Sequence, residues 1–148
     1  MIIATVHFLA LSTELKSYEY DDQFHFASDV LASARLDNKI DWIIVFQHKP
    51  LYSGSGLEIP ELREQYHHLF EKYHVDLVLA GHAHNYQRSY PTLYNEARPA
   101  RPTITDHEKL QYFDPQGTIF VIAGTAGESI SIEVFSKEVK KSPVPRNI

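Results

Sequence analysis

The sequence has no cysteine, which excludes disulfide frameworks, thiolate metal sites and cysteine nucleophiles. It also has no basic excess: 14 Lys and Arg stand against 19 Asp and Glu, the net charge is -5, and neither sign forms a long run. We therefore expect neither a nucleic-acid partner nor binding to an anionic membrane surface. No stretch reaches the roughly 18 apolar residues that span a bilayer. Any bound metal must be held by histidine and oxygen ligands.

The 148 residues are 43% hydrophobic and 22% charged, which predicts one domain with a buried core. The informative excess in the composition is histidine, with nine residues. Four of them lie in polar or amphipathic stretches, where a solvated imidazole is the ordinary expectation: His25, His67, His68 and His107. Three others come directly after apolar runs: His48, His82 and His84.

Apolar periodicity predicts alternating strands and helices along the chain. Continuous apolar runs of strand length occur at 2–11, 42–46, 76–80, 118–123 and 129–135, and three- and four-residue spacings predict helices at 23–36 and from Pro60 to Tyr73. The order is βαβαβ and then ββ. Because parallel neighbours need a long connection, usually a helix, the sheet should be at least partly parallel and the fold class α/β.

Residues 89–117 contain four prolines and few periodic apolar positions, and they predict a long loop. Two interpretations stay open for this segment. One is a mobile surface insertion, and the other is a lid or loop that faces a substrate.

The three histidines that follow apolar runs lie where strands two and three should end. Ligands of open α/β sheets collect at the carboxyl ends of the strands, so the three imidazoles could converge there. We expect Gly81 to let the backbone turn sharply, and the small Ala83 to let the rings on either side approach one region. A metal chelate and a pair of hydrogen-bonded surface histidines are both compatible with this pattern.

These residues also carry a family resemblance. Residues 81–88, GHAHNYQR, resemble the Gly-His-x-His-x-Tyr-x-Arg signature of calcineurin-like metallophosphoesterases of the purple acid phosphatase type. Residues 42–53, WIIVFQHKPLYS, are similar to that family's strand ending in His-x-Pro-x-Tyr. Residues 8–14, FLALSTE, and 117–127, GTIFVIAGTAG, are similar to flanking strands of the same family. The resemblance covers most of the chain and corresponds to the C-terminal half of the family's catalytic domain.

The resemblance implies two metal ions bridged by a carboxylate, with Fe, Zn and Mn as candidates, and hydrolysis of phosphate monoesters by a metal-bound hydroxide. Position by position, it places His48 and His82 on the divalent ion and His84 on the other ion. Tyr86 and Arg88 would shape the turn and Tyr52 would face the substrate, or all three would simply pack. No catalytic residue is assigned to this chain, and its substrate-binding residues are not identified.

The chain departs from the family pattern in one important respect. The family's Asp-x-His, Gly-Asp and Gly-Asn motifs are absent, and the nearest substitutes lack the family spacing at a strand end: Asp21-Asp22, Asp37-Asn38 and Asp106-His107. No bridging carboxylate is therefore expected, and residues 54–59 lack the substrate-contacting histidine of many relatives. Three histidines cannot hold two ions well, so the isolated chain should be inactive or weak.

The family fold is a two-sheet sandwich flanked by helices, of which this sequence should supply the second half. An apolar sheet face would then be uncovered, and we expect either self-association or a complementing N-terminal half to mask it. Two functional hypotheses follow. The chain is part of a phosphoesterase, or it is a degenerate module that has lost catalysis and keeps a metal-binding, anion-binding or interaction role.

Overall fold

The computed structural model describes residues 4–15, 19–108 and 110–127. Along these residues the elements are β1 (Val6–Ala10), α1 (Glu19–Leu36), β2 (Trp42–Gln47), α2 (Pro60–Lys72), β3 (Leu77–Ala80), β4 (Tyr86–Arg88), β5 (Thr92–Leu93), β6 (Thr103–Ile104) and β7 (Ile119–Ala123). The strand predicted at 129–135 lies outside the described residues.

The main sheet has five strands in the order β1-β2-β3-β7-β4. The pairs β1–β2, β2–β3 and β3–β7 are parallel, and β4 is antiparallel to β7 at the edge. Helices α1 and α2 make the connections between the first three strands, as parallel neighbours require. The prediction of an α/β fold with a partly parallel sheet is confirmed.

Both helices form close to where the apolar spacing predicts them. Helix α1 begins at Glu19, one turn earlier than expected. Helix α2 begins at Pro60, where the fixed φ of proline suits the first turn and its missing N–H leaves no unsatisfied donor. Among the described residues, no helix combines the length and the apolar composition needed to cross a bilayer.

The core lies on one face of the sheet. Side chains that alternate along the strands point to this face and are buried there against apolar residues of both helices, such as Leu31 of α1 and Phe70 of α2. These inward strand residues are Leu9, Ile43, Val45, Val78 and Phe120. Because strand side chains alternate, the intervening residues point to the opposite face.

That opposite face carries large apolar side chains in contact with solvent. Phe8 of β1 is 60% exposed, and Trp42 and Phe46 of β2 are 50% and 45% exposed. Tyr86 of β4 is 49% exposed at the far edge. We call this surface, defined by Phe8, Trp42, Phe46 and Tyr86, the open face. In the part of the chain that the structure describes, no helix covers it, whereas the other face is covered by two.

The structure contains short strands that the sequence did not predict. Strand β4 has only three residues and lies inside the histidine signature, where polar residues obscure any strand pattern. Residues 89–117 are irregular over most of their length, but β5 and β6 pair within them, with Thr92 opposite Ile104. The segment is therefore partly anchored, since Thr92 also exchanges backbone hydrogen bonds with Thr118 at 2.9 and 3.0 Å.

Candidate metal centre

Three neighbouring parallel strands end side by side at the edge of the sheet that holds the histidines. Gln47, the last residue of β2, pairs in register with Ala80, the last residue of β3. One residue further on, the Gly81 N–H donates to the His48 carbonyl at 3.0 Å, so the ladder extends past both strands. The backbone therefore places His48 directly beside the turn that carries His82.

The sequence predicts that the sharp turn occurs at Gly81. In the structure the residue with left-handed backbone in this turn is His82. His82 has φ of 65°, in the left-handed region that is uncommon for a residue with a Cβ. The Ala83 N–H donates to the Gly81 carbonyl at 2.7 Å, and the Asn85 N–H donates to the Ala83 carbonyl at 2.8 Å. A non-glycine residue in this conformation costs free energy, which the rest of the fold must offset. Such residues are found most often at functional sites.

The rings of His48 and His82 meet at this edge. Nδ1 of His82 lies 3.3 Å from Nε2 of His48, and the ring planes cross at 74° with their centroids 5.1 Å apart. Two imidazole nitrogens bound to one tetrahedral ion at about 2.0–2.1 Å would be about 3.3–3.4 Å apart. The observed spacing therefore fits two ligands of one metal ion, and it also fits a single hydrogen bond between two neutral rings.

The electrostatic surroundings favour the neutral form of His82. Partial burial lowers its pKa below the usual range, and the nearby positive groups of His48 and Lys49 lower it further, whereas the carboxylate of Glu14 acts in the opposite direction. Neutral imidazole is the form that binds metal ions. The lowered pKa of His82 therefore favours the form of this ring that a metal ligand needs.

His84 does not join the pair closely. It is near enough to act on His82 electrostatically, and it lowers the pKa of that ring less than His48 and Lys49 do. Within residues 4–15, 19–108 and 110–127, no group of three or more His, Asp and Glu side chains is arranged to hold an ion. The structure thus brings together two of the three predicted ligands and leaves the third apart.

The histidine turn rests on the end of β7. A Cβ at Gly124 would overlap the carbonyl oxygen of Ala83, so only glycine allows the two backbones to lie this close. The Gly124 N–H donates to the Asn85 carbonyl at 3.2 Å. The glycine-rich segment after β7 therefore fixes the position of the turn from behind.

Gln87 connects the turn to the loop that follows β2. Its side chain is buried, and its Oε1 accepts from the Gly54 N–H at 2.6 Å. Its Nε2 donates to Asn85 Oδ1 at 2.8 Å and to Ser55 Oγ at 3.3 Å. The loop at 53–55 is thus tied to β4 by one amide side chain.

Two side-chain expectations are corrected by the structure. Tyr52 does not face the site: it is 3% exposed, and its hydroxyl lies 2.7 Å from Nδ1 of His67. His67 is fully buried and not solvated, because Tyr52, Tyr94 and Phe120 surround its ring. Burial lowers the pKa of His67 to about 4, so this histidine is neutral and belongs to the core.

Glu14 is an acidic residue at this edge that the sequence analysis did not consider as a ligand. It follows β1 by four residues, and its carboxylate accepts from the Lys49 ammonium at 2.9 Å. This hydrogen bond lowers the pKa of Glu14, and the charges of His48 and His82 act in the same direction. The position of Glu14 after a predicted strand was a signal for this location. Because β1 is parallel to β2, the residues that follow β1 emerge at the same end of the sheet as His48.

Two cavities lie at the opposite end of the sheet, where the parallel strands begin. A cavity of about 720 Å³ is lined by residues that precede the strands, among them Asp41 before β2, Asp76 before β3 and Thr118 before β7. Asp76 there accepts from the Ile43 N–H at 2.8 Å and pairs with Arg35 at 3.4 Å, so it serves the backbone. At the histidine edge, by comparison, His48 is exposed and His82 is half-buried.

Comparison with known proteins identifies relatives of this arrangement. The family model described as calcineurin-like phosphoesterase matches residues 5–86, a span that contains the three candidate histidines. An Arabidopsis thaliana protein named "Probable inactive purple acid phosphatase 1" is 35% identical over 134 residues, which cover 84% of this chain and 20% of that protein. An acid phosphatase of Aspergillus ficuum is 33% identical over 125 residues, which cover 83% of this chain and 19% of that protein.

A solved structure of the same kind of protein is similar to this chain in fold as well as in sequence. The structure of a purple acid phosphatase from yellow lupin seeds superposes with a TM-score of 0.68 at 35% identity and covers 81% of this chain and 21% of its own. The present chain thus spans about a fifth of the length of each of these three proteins.

Proposed function

The chain belongs to the calcineurin-like phosphoesterase family, and we propose that it supplies the C-terminal part of a two-metal site that hydrolyses phosphate monoesters. The observation that carries this proposal is the pair of ring nitrogens of His48 and His82, 3.3 Å apart at the carboxyl ends of adjacent parallel strands. The spacing suits two ligands of one ion, and the residues match the family's histidine positions.

In this proposal His48 and His82 hold the divalent ion and His84 contributes to the second ion, with Fe, Zn and Mn as candidate metals. Such ions activate the attacking water and offset the negative charge of the phosphate. The residues of this chain hold the rings in place. The backbone hydrogen bond from Gly81 to His48 keeps the two histidine segments side by side, and Gly124 supports the turn.

The described residues provide too few ligands for two ions. Two positive ions without an anionic bridge would repel each other strongly, so the second ion needs carboxylates from elsewhere. We therefore expect the 148-residue chain by itself to hydrolyse phosphate esters weakly or not at all.

The open face supports a partner that completes the site. Solvent-exposed Phe8, Trp42 and Phe46 lie together on β1 and β2, and a contiguous apolar surface of this kind marks an interaction site. We favour a complementing segment that carries its own sheet and the missing carboxylates, because a second copy of this chain would cover the apolar surface without adding the family's absent motifs.

A degenerate, non-catalytic module is the second candidate function. It is favoured because, among the described residues, no group of three or more His, Asp and Glu side chains is arranged to hold an ion. In that case the chain would bind one metal ion or an anion and would gain no activity from a complementing segment.

Elemental mass spectrometry of the purified chain tests the proposal. We expect bound metal that is lost in His82→Ala, with molecular mass recorded by light scattering and hydrolysis of p-nitrophenyl phosphate measured alongside. Two ions per chain in an assembly, with activity, would support the two-metal enzyme. One ion without activity, even after addition of the homologous N-terminal half of a relative, would support the degenerate module. No histidine-dependent metal, with or without that N-terminal half, would contradict the two-metal enzyme and leave only a module that binds an anion.

A further inference from the structure

We infer that Gln87 is a positioning residue for the His48–His82 pair, because its buried amide joins the two segments that carry the two imidazoles. This inference rests on the proposed function, since it assumes that the pair binds a metal ion. The role does not require Gln87 to contact the ion. It requires that the amide keep the two imidazoles at the spacing that suits two ligands of one ion.

The two segments are joined at both of their ends. One comprises residues 48–54, which follow β2, and the other comprises residues 81–87, which follow β3. At the first junction the Gly81 N–H donates to the His48 carbonyl at 3.0 Å. Six residues further along each segment, the Gly54 N–H donates to Oε1 of Gln87 at 2.6 Å. The imidazoles lie at the first junction, and the amide of Gln87 forms the second.

The segment of residues 48–54 is anchored in the core. Leu51 is 1% exposed and Tyr52 is 3% exposed. The hydroxyl of Tyr52 lies 2.7 Å from Nδ1 of the buried His67. This segment therefore provides a fixed support to which the second segment can be held.

The segment of residues 81–87 needs such a support. It contains the left-handed backbone of His82, with φ of 65°, which costs free energy in a residue with a Cβ. The backbone of Gly124 holds the middle of the turn, and Nε2 of Gln87 donates to Oδ1 of Asn85 at 2.8 Å near its end. A turn with unfavourable backbone relaxes when a support is removed. Loss of the amide should therefore let the ring of His82 move away from that of His48.

The chemistry of an amide suits this role. The side chain of Gln87 is 1% exposed, and it uses its oxygen for one segment and its nitrogen for the other. Its nitrogen also donates to Oγ of Ser55 at 3.3 Å, just beyond the first segment. A buried polar network whose members are hydrogen-bonded is rigid, and rigid ligands lose less entropy when an ion binds. Methionine has a similar length and no amide, so it removes these hydrogen bonds and keeps much of the packing.

Titration of Zn²⁺ against a competing chelator tests the inference. The proteins are the wild-type chain, Gln87→Met and His82→Ala, at a temperature where circular dichroism shows that all are folded. Thr118→Val is the matched control, because it removes a buried hydroxyl that donates to the Val75 carbonyl at 2.8 Å at the opposite end of the sheet. We expect Gln87→Met to weaken Zn²⁺ binding about tenfold, as removal of groups that orient metal ligands does. Thr118→Val should bind Zn²⁺ like the wild type.

Amide hydrogen exchange of the wild-type chain gives a second readout that needs no variant. Coupling between two sites is reciprocal, so if the Gly54–Gln87 hydrogen bond favours metal binding, bound Zn²⁺ must favour that hydrogen bond. We expect Zn²⁺ to slow exchange of the Gly54 and Gly81 amides severalfold more than exchange of the Thr118 amide. The Thr118 N–H donates to the Thr92 carbonyl at the opposite end of the sheet and is the control.

The outcomes separate this inference from the proposed function. Unchanged Zn²⁺ affinity in Gln87→Met with loss of binding in His82→Ala, or slowed exchange at Gly81 without slowed exchange at Gly54, would overturn the role of Gln87 and leave the proposed function standing. Equal weakening in Gln87→Met and Thr118→Val would also overturn this role, because it would report a general loss of stability. If Gln87→Met does not fold, the exchange measurement decides. Binding that is the same in wild type and His82→Ala would overturn the proposed function and this inference with it.

Discussion

Two histidine environments of this protein differ in almost every physical respect. His67 of α2 is fully buried, with its Nδ1 2.7 Å from the hydroxyl of Tyr52 and aromatic rings on several sides. His48 and His82 lie at the open edge of the sheet, with ring nitrogens 3.3 Å apart. The comparison shows that burial among aromatic rings makes His67 part of the core, whereas the nitrogens of His48 and His82 meet at the surface, where a ligand can reach them.

The largest expected effect comes from removing the buried ring. His67→Ala would leave a cavity and an unpartnered Tyr52 hydroxyl, and we expect it to lower the free energy of unfolding by roughly 3 kcal/mol or more. Urea denaturation measures this change. His25→Ala, at an exposed position of α1, is the control and should change stability by less than about 0.5 kcal/mol. Equal effects of the two variants would remove the distinction between core and surface histidines.

The pH dependence of stability should also report His67. Because burial lowers its pKa from 6.5 to about 4, the unfolded chain binds the proton more readily than the folded one below pH 6.5. The free energy of unfolding should therefore fall as the pH drops, by about 1.4 kcal/mol per unit at most and by roughly 3 kcal/mol at pH 4.

Urea denaturation between pH 6.5 and 5 measures this slope above the range in which most carboxylates titrate. His67→Gln keeps a neutral hydrogen-bonding side chain and should lose this part of the slope. An identical slope in the two proteins would mean that His67 accepts a proton while folded.

At the histidine edge, substitutions that disturb the backbone should lower the free energy of unfolding more than substitutions that remove an imidazole ring. Gly124→Ala would force a Cβ onto the Ala83 carbonyl, and we expect roughly 1–3 kcal/mol of destabilisation. At Gly81 a Cβ would meet Nδ1 of His48 at an ordinary 3.7 Å, so Gly81→Ala is the matched control and should be nearly neutral. Thermal unfolding of both variants distinguishes the two glycines, and equal melting temperatures would show that the turn can move away from β7.

The smallest effect on stability is expected for His48→Ala. The ring is exposed, and without metal its removal should change the free energy of unfolding by less than about 0.5 kcal/mol. Saturating Zn²⁺ should raise the melting temperature of the wild type, because a ligand that binds only the folded state stabilises it, and this rise should be absent in His48→Ala. A large loss of stability without metal would instead place His48 in the structural core.

The parts of the fold that apolar periodicity encodes were predictable from the sequence. Strands β1, β2, β3 and β7 and both helices coincide with apolar runs or helical spacings to within a few residues. Strand β4 was not predictable, because a three-residue edge strand of mixed polarity is stabilised by its pairing with β7 and not by its own residues. The β5–β6 pair was missed for the same reason.

The candidate site was predictable only in part. His48 and His82 follow predicted strands, so the expected parallel sheet is sufficient to predict that the two residues lie close together. Burial of His67 was not predictable from α2 alone, since the residues that cover it, Tyr52 and Tyr94, come from loops distant in sequence. Glu14 was not predicted to lie beside the histidines, although residues 8–14 resemble a strand of the family, because only the pairing of β1 with β2 shows that it shares their end of the sheet.

The order of strands in the sheet has a consequence for how the protein is made. Strand β7 lies between β3 and β4, although it is the last of the described strands to leave the ribosome. Leu77 pairs with Ile119 across 42 residues of sequence, so a long segment must be closed before this pairing forms. Until that moment β4 lacks the strand it pairs with, and the turn of residues 81–85 lacks the support of Gly124. The histidine edge is therefore completed late in synthesis, and in a growing chain His48 and His82 cannot reach their final arrangement until residue 124 has emerged.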